Sequence, residues 1–371
     1  MAAPLLAAAC VGHGSMIMPP SRNAMDATLP PWQHGRTPPT GVIEPYKCAC
    51  TNGTSGCDVG QACFWFSQGC TIGCSVCDGQ GQRLPNWDHC PAESLEPTLN
   101  DPKYRTANLH AKAGSAQDIF KFNPWRAPGR APVFDACGMA GGTLSEVFNA
   151  GAFNTTKYAA QGDLGSKVLP PRPSGTVWRR GGQAKARWQV TAQHGGGYQY
   201  RLCPASEPLT EACFQRTPLL FAPPYTHRVL FADATRDFDI NATLVTEGGG
   251  KGWMRHPIPW ITDSACDYVV PPGKHCPFKC PRCGPPWYAA DGACPANCAS
   301  SYPELHLDST TGADPSIFPD PVSGHQIQDY AVEDTLLVPA DIAPGEYVLG
   351  WRWDCEMTSQ VWSTCADITI E

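Results

Sequence analysis

The chain has 371 residues, enough by length alone for two or three domains, and a formal net charge of −7. An acidic balance argues against a nucleic-acid partner, which calls for a basic face. With 36 Gly, 38 Pro and only 16% charged residues, the composition points to loop-rich β structure rather than helical bundles. Beyond the first residues no apolar run is long enough to span a bilayer, so no membrane anchoring is expected.

Residues 1–12, Met-Ala-Ala-Pro-Leu-Leu-Ala-Ala-Ala-Cys-Val-Gly, read as the hydrophobic part of a secretory signal ending in small residues. Cleavage after Gly12 would make His13 the first residue of a secreted protein. A terminal histidine is chemically special, because its free α-amine and its ring Nδ1 grip one metal ion as a chelate. Residues 16–22 then read as a short strand closed by Pro19-Pro20, and 26–47 as Pro- and Gly-rich loop.

Twenty cysteines behind a secretory start imply disulfides. One dense cluster runs from Cys48 to Cys90 around Phe64-Trp65-Phe66, and a second from Cys266 to Cys298. Both read as disulfide-rich insertions in one domain covering 13–371, not as domains of their own. Removal of Cys10 with the signal would leave 19, so one cysteine is unpaired or intermolecular. Cys74-x-x-Cys77 reads as disulfide chemistry in preference to half a zinc site. Asn52, Asn154 and Asn241 each head a glycosylation triplet.

From about residue 176 the pattern changes to strands. Thr176–Trp178 is one, and Ala184–Thr191 alternates with the period of a half-buried strand. Gly195-Gly-Gly197 breaks it, and Tyr198–Leu202 resumes. Cys203 and Cys213 are placed to close a small loop. Further strands are expected at 227–231, 240–246 and 335–338. Gly345–Asp354 alternates over its whole length, and Ser359–Ile370 forms the last strand. Many short strands with turn chemistry between them predict an antiparallel β-sandwich.

Three separated pieces carry the chemistry. The first is His13. The second is Trp188-Gln-Val-Thr-Ala-Gln-His194, with His194 at a strand end. The third is Gln360-Val-Trp-Ser-Thr-Cys-Ala-Asp367. Together they resemble the lytic polysaccharide monooxygenases of the auxiliary-activity and chitin-binding type-4 families. In that group the mature protein begins with histidine, and a second histidine arrives in a Trp-x-x-Thr-Ala-x-His motif, matched by Trp188, Thr191, Ala192 and His194. Arg126-Ala-Pro-Gly129 and Cys137-Gly138 resemble the branch with animal, oomycete and algal members.

The resemblance implies an immunoglobulin/fibronectin-III-like sandwich binding one copper ion through His13 and His194. Beside them stand Gln360 and an axial aromatic at Trp362, with the methyl of Ala192 limiting the other axial side. Tyr or Phe is usual at the axial position; an indole N–H supplies no phenol oxygen. Three nitrogens in a T suit Cu(II) by geometry and by the affinity order. The implied activity is secreted, oxidative cleavage of chitin or cellulose with O2 or H2O2 and an external small-molecule or protein electron donor, by a monomer. Trp32, Tyr46 and Trp65 are candidate sugar-stacking aromatics. The remaining histidines read as surface or structural.

Two rivals stand beside this reading. One is a non-catalytic copper- or carbohydrate-binding protein of the same fold. The other is a metal-free, cysteine-rich extracellular interaction protein. A hydrolase is disfavoured, since neither Gly-x-Ser-x-Gly nor His-Glu-x-x-His is present.

Overall fold

Alternating apolar and polar residues build two antiparallel sheets in the computed structural model. It describes residues 13–24, 61–67, 123–144, 153, 155–192, 195–231, 234–245, 251–257, 330–356 and 358–371. The strands in chain order are β1 (His13–Met18), β2 (Trp65–Ser67), β3 (Met139–Ala140), β4 (Val177–Trp178), β5 (Gln183–Ala192), β6 (Gly197–Pro204), β7 (Leu220–Phe221), β8 (Thr226–Phe231), β9 (Phe238–Asn241), β10 (Leu244–Val245), β11 (Trp253–Arg255), β12 (Tyr330–Leu337), β13 (Gly345–Asp354) and β14 (Val361–Ile370). Two short helices, α1 (Gly165–Val168) and α2 (Glu211–Gln215), lie between them.

One sheet runs β1-β5-β12-β8-β9, with β7 also on β12. The other runs β10-β11-β6-β13-β14-β2-β3, with β4 parallel to β14. The expected all-β sandwich is what forms. The strands read at 184–191, 345–354 and 359–370 match β5, β13 and β14 closely. The stretch read as one strand at 240–246 is two, β9 and β10, parted at Ala242-Thr243. β12 begins five residues earlier than its apolar pattern suggested, at Tyr330. β1 begins at His13, not Met16, and ends before the double proline. Both cysteine-rich insertions fall mostly outside the described residues. The disulfide Cys203–Cys213 closes the small loop expected there.

Between the sheets lies an aromatic core of Trp188, Tyr198, Tyr200, Trp351, Trp353 and Trp362, all fully buried. One carboxylate is buried with them. Asp334 points inward from β12 and accepts from Trp188 Nε1, Tyr198 Oη and Tyr200 Oη at 3.0 Å each. His227 Nδ1 lies 2.7 Å from the same carboxylate. Burial, reinforced by the Asp334 charge, pushes both phenols well above their usual range, so they stay protonated donors. These bonds join β5, β6, β8 and β12, that is, both sheets.

The outer face of the second sheet is also covered. Arg352 and Asp354 point outward from β13, yet neither reaches water, because residues 123–136 and α2 lie over them. Arg352 Nε bonds Asp354 at 2.6 Å, its Nη1 bonds Glu211 at 2.7 Å, and its Nη2 bonds the Ala131 carbonyl at 3.0 Å. Arg201 makes a second pair with Glu211. Burial alone would raise the Glu211 pKa, but the two guanidiniums overcome it and hold it at about 2.

The first strand is tied to the last. Arg22, just past β1, pairs with Asp367 of β14 through Nε at 2.8 Å and through Nη2. Asn23 Nδ2 bonds the Cys137 carbonyl at 2.9 Å, and Asn23 Oδ1 accepts from Cys365 N at 3.0 Å. Both ends of the Cys137–Cys365 disulfide are thereby fixed to one side chain.

Two measurements follow from these networks. Asp334→Ala leaves several buried donors without their acceptor, each costing about 1–3 kcal/mol. Urea denaturation should therefore show a loss of more than about 4 kcal/mol, against about 1 kcal/mol or less for removing the partly exposed Lys185 partner of Glu333. Glu211 has a folded pKa below its unfolded value of 4.5. Its contribution, about 3 kcal/mol, is complete above pH 4.5 and lost as pH falls toward 2. Glu211→Gln should lower stability at pH 7 and flatten the acid limb of the stability curve over that window.

Candidate metal centre

Strand register brings distant parts of the chain to one corner of the sandwich. His13, first residue of β1, pairs with Ala192, last residue of β5. Cross-strand partners lie about 5 Å apart at Cα. β6 begins at Gly197, which pairs with Asp354, the end of β13, and with Arg255 of β11. Asp354 in turn pairs with Val361, the start of β14. The ends of β5 and β13 and the starts of β1, β6 and β14 thus share one end of the fold.

The turn between β5 and β6 is held from two sides. Trp353 Nε1 donates to the Gly195 carbonyl at 2.8 Å, and His256 N donates to the Gly196 carbonyl at 2.9 Å. Gly196 has φ +81°, and a Cβ there would stand 2.0 Å from the Asp354 carbonyl oxygen. Only glycine combines that backbone with that approach.

Each residue named from sequence can now be located. His13 holds its place in β1, at the corner. Ala192 sits opposite it on β5. His194 lies outside the described residues; its described chain neighbours are Ala192 and Gly195. In the motif Trp188, Thr191, Ala192, His194, the indole of Trp188 is a structural anchor: it bonds Asp334 and stacks on Trp351 with ring centroids 5.8 Å apart.

Trp362 is the second residue of β14 and is fully buried, stacked on Phe66 at 4.2 Å and tilted against Trp353 at 6.3 Å. It shares a strand face with Thr364, whose hydroxyl accepts from Met16 N of β1 at 3.1 Å. Trp362 therefore faces the sandwich interior on the side of β1. Gln360 is buried just before β14, with Oε1 accepting from Thr358 Oγ1 at 3.1 Å.

Of the candidate stacking aromatics, Trp32 and Tyr46 lie outside the described residues. Trp65 does not serve as a platform: it is 1% exposed and packs edge-on against Phe153 at 5.3 Å. Its neighbours in sequence form β2, a strand against β14, which turns the indole into core. Asn241 is exposed at the end of β9; Asn52 and Asn154 lie outside the described residues. His227 and His256 are both buried structural histidines.

Among the described residues no three His, Cys, Asp or Glu side chains gather at metal-binding distance. The expected donor set draws on the His13 amine and on His194, so its fit rests on the backbone. In the chain, His194 follows two residues after Ala192, the cross-strand partner of His13. Among the described residues Cys355 is the free thiol, and it was not singled out from sequence. Burial pushes it well above the usual thiol range, against opposing hydrogen bonds from Thr358 and Trp362. With Cys10 and Cys355 set aside, the remaining cysteines are even in number.

No family model matches the chain, and no curated protein matches it. Solved structures do. Bacillus amyloliquefaciens CBM33 in complex with Cu(I) matches at 10% identity and TM-score 0.21, covering 56% of this chain and 58% of that one. The lytic polysaccharide monooxygenase AA15 from Thermobia domestica in the Cu(I) state matches at 13% identity and TM-score 0.23, covering 53% and 62%. Both matches span under two-thirds of the other protein. A chitin-binding domain from Burkholderia pseudomallei matches at 12% identity and TM-score 0.33, covering 97% and 100%.

The buried thiol gives a direct check. In native protein Cys355 should resist alkylation over hours; in denaturant without reductant it should react at once, and peptide mapping should find the label on Cys355. Labelling of Cys355 under native conditions would contradict its burial.

Proposed function

We propose that this chain is a secreted, copper-dependent polysaccharide monooxygenase acting on chitin or cellulose, related to the branch with animal, oomycete and algal members. The observation that carries the reading is the pairing of His13 with Ala192, at the corner where β14 brings Gln360 and Trp362. What supports it is that His13 and Ala192, 179 positions apart, are cross-strand partners, and that His194 follows Ala192 by two positions in the sequence.

The roles follow from the donors. The His13 amine, freed by cleavage after Gly12, binds in its neutral form; with an unperturbed pKa of about 7.7–8.0, it gives an affinity that falls as pH drops. The His13 ring and His194 supply the other two nitrogens. Bound copper supplies one-electron chemistry with O2 or H2O2 at a C–H bond beside a glycosidic link, fed by an external small-molecule or protein donor. Trp362 offers a donor-only indole edge and no oxygen ligand, so it acts as an apolar wall that excludes water. Gln360, fixed by Thr358, presents its amide at the start of the same strand. A corner formed by strand ends suits a flat, crystalline glycan better than a single sugar in a deep pocket.

Copper titration by calorimetry on two preparations tests this. Protein beginning at His13 should bind one copper tightly. Protein with one extra alanine before His13 should bind at least a hundredfold more weakly, about 2.8 kcal/mol, because the amine chelate is gone. Equal binding would move the site elsewhere, and no binding in either preparation would leave a disulfide-stapled interaction protein. If copper binds as expected and oxidised oligosaccharides never form with reductant on chitin or cellulose, the non-catalytic rival holds.

A further inference from the structure

One motif of the sequence plays no part at the corner. Asn241-Ala242-Thr243 has the order of an N-glycosylation acceptor, Asn-x-Thr with x other than proline. Asn241 is the last residue of β9, and its side chain is exposed. Its neighbour Ile240 is a core residue and pairs with His227, whose ring turns inward to Asp334. By the alternation of a strand, Asn241 and its partner Thr226 face outward. So do Asp239 and Arg228, which pair at 3.1 Å.

The triplet lies where the chain leaves one sheet for the other, with Ala242 and Thr243 separating β9 from β10. Ala242 N donates to the Tyr225 carbonyl at 2.8 Å, and Arg255 N donates to the Thr243 carbonyl at 2.9 Å. The bend is thus held from both sheets while Asn241 points to solvent. A glycan attached to the unfolded chain must find water once the sandwich closes, and at Asn241 it does. It also stays clear of the corner. Trp188, Val332, Val229 and Phe238 form one row across β5, β12, β8 and β9. Ala192 lies beyond that row at the end where His13 pairs, and Asn241 lies beyond it in the opposite direction. The two are parted by about 23 Å along the strands and about 14 Å across the sheet.

Two features give a glycan something to cover. Among the described strands β9 pairs with β8 alone, and a strand paired on one side is a template for association with another chain. Tyr225, next to Thr226, is 38% exposed and held at φ +60°.

We propose that Asn241 carries an N-linked glycan that shields this end of the first sheet, away from the corner of His13 and Ala192. The inference rests on the secreted reading given above. In the step, Asn241 Nδ2 bonds to the anomeric carbon of a lipid-pyrophosphate-linked oligosaccharide. The bond from that carbon to the pyrophosphate oxygen breaks, the lipid pyrophosphate leaves with the electron pair, and the amide loses one proton. A bulky, hydrated glycan over the outward face hinders approach by a second β edge.

The test produces the chain in a glycosylating eukaryotic host in two forms: as it stands, and from His13 behind a foreign secretory leader. Peptide mapping before and after enzymatic glycan release reads position 241. Protein from the medium should carry a glycan at Asn241 in most molecules. Thr243→Ser should keep it, and Thr243→Ala and Asn241→Gln should lose it. Glycan-free protein, shown to be folded by thermal denaturation, should associate severalfold more in light scattering than the glycosylated parent. Secreted protein with a bare Asn241 overturns the inference and leaves the secreted reading intact. Glycan-free protein as well dispersed as the parent overturns the shielding role. If the chain as it stands stays inside the cell, the secreted reading falls. The foreign-leader form then decides the site alone, and a bare Asn241 there overturns the inference as well.

Discussion

The sandwich closes on a charge. Asp334 stands between two sheets whose remaining inner residues are largely apolar or aromatic, and a lone carboxylate there would be strongly unfavourable. It is tolerated because two phenols and an indole are aimed at it, with the His227 ring alongside. The dependence runs both ways. Without Asp334 these groups lose their shared buried acceptor, so β5, β6, β8 and β12 must arrive in one register for it to serve them all. A core of this kind specifies a single arrangement more sharply than an apolar one of the same volume. The Trp188 indole is the link that matters for the corner. It anchors β5 four residues before Ala192, where β1 begins its pairing.

The opposite face of the second sheet uses charge differently. Arg352, Asp354, Glu211 and Arg201 form a buried chain in which cations and anions are balanced. They hold residues 123–136 and α2 against strand positions that would otherwise look outward to water. With that layer in place, Trp353 on the other face of β13 is fixed from behind, and so is the turn it bonds.

Much of the fold was legible because period-two alternation survives wherever inward positions are apolar. β5, β13 and β14 were found for that reason. β12 was found late because its inward position 334 is an aspartate, which breaks the apolar pattern at the residue the core depends on. β2 was hidden among cysteines, and Trp65 looked like a sugar platform because local sequence does not reveal a strand partner such as β14. The candidate site was legible only as motif: His13, His194, Gln360 and Trp362 were named by resemblance, while the bond from Trp353 to the turn after β5 was not foreseen. That bond joins residues 158 positions apart, and nothing in the alternation of β13 distinguishes Trp353 from Trp351. Among the described residues Cys355 is the free cysteine, and sequence had not distinguished it from the others.

The Cys137–Cys365 bridge spans 228 residues and is worth about 5 kcal/mol by the loop-entropy relation. It also changes what a cut in the chain means. A protease that cleaves once between these two cysteines leaves a single molecule, with β14 still joined to the segment around Cys137 and, through Asn23, to the strand that carries His13. A single cut between β11 and β12 falls inside that loop and would not separate β14 from the segment around Cys137. The bond thus replaces the backbone as the covalent link between the first and last strands of the fold.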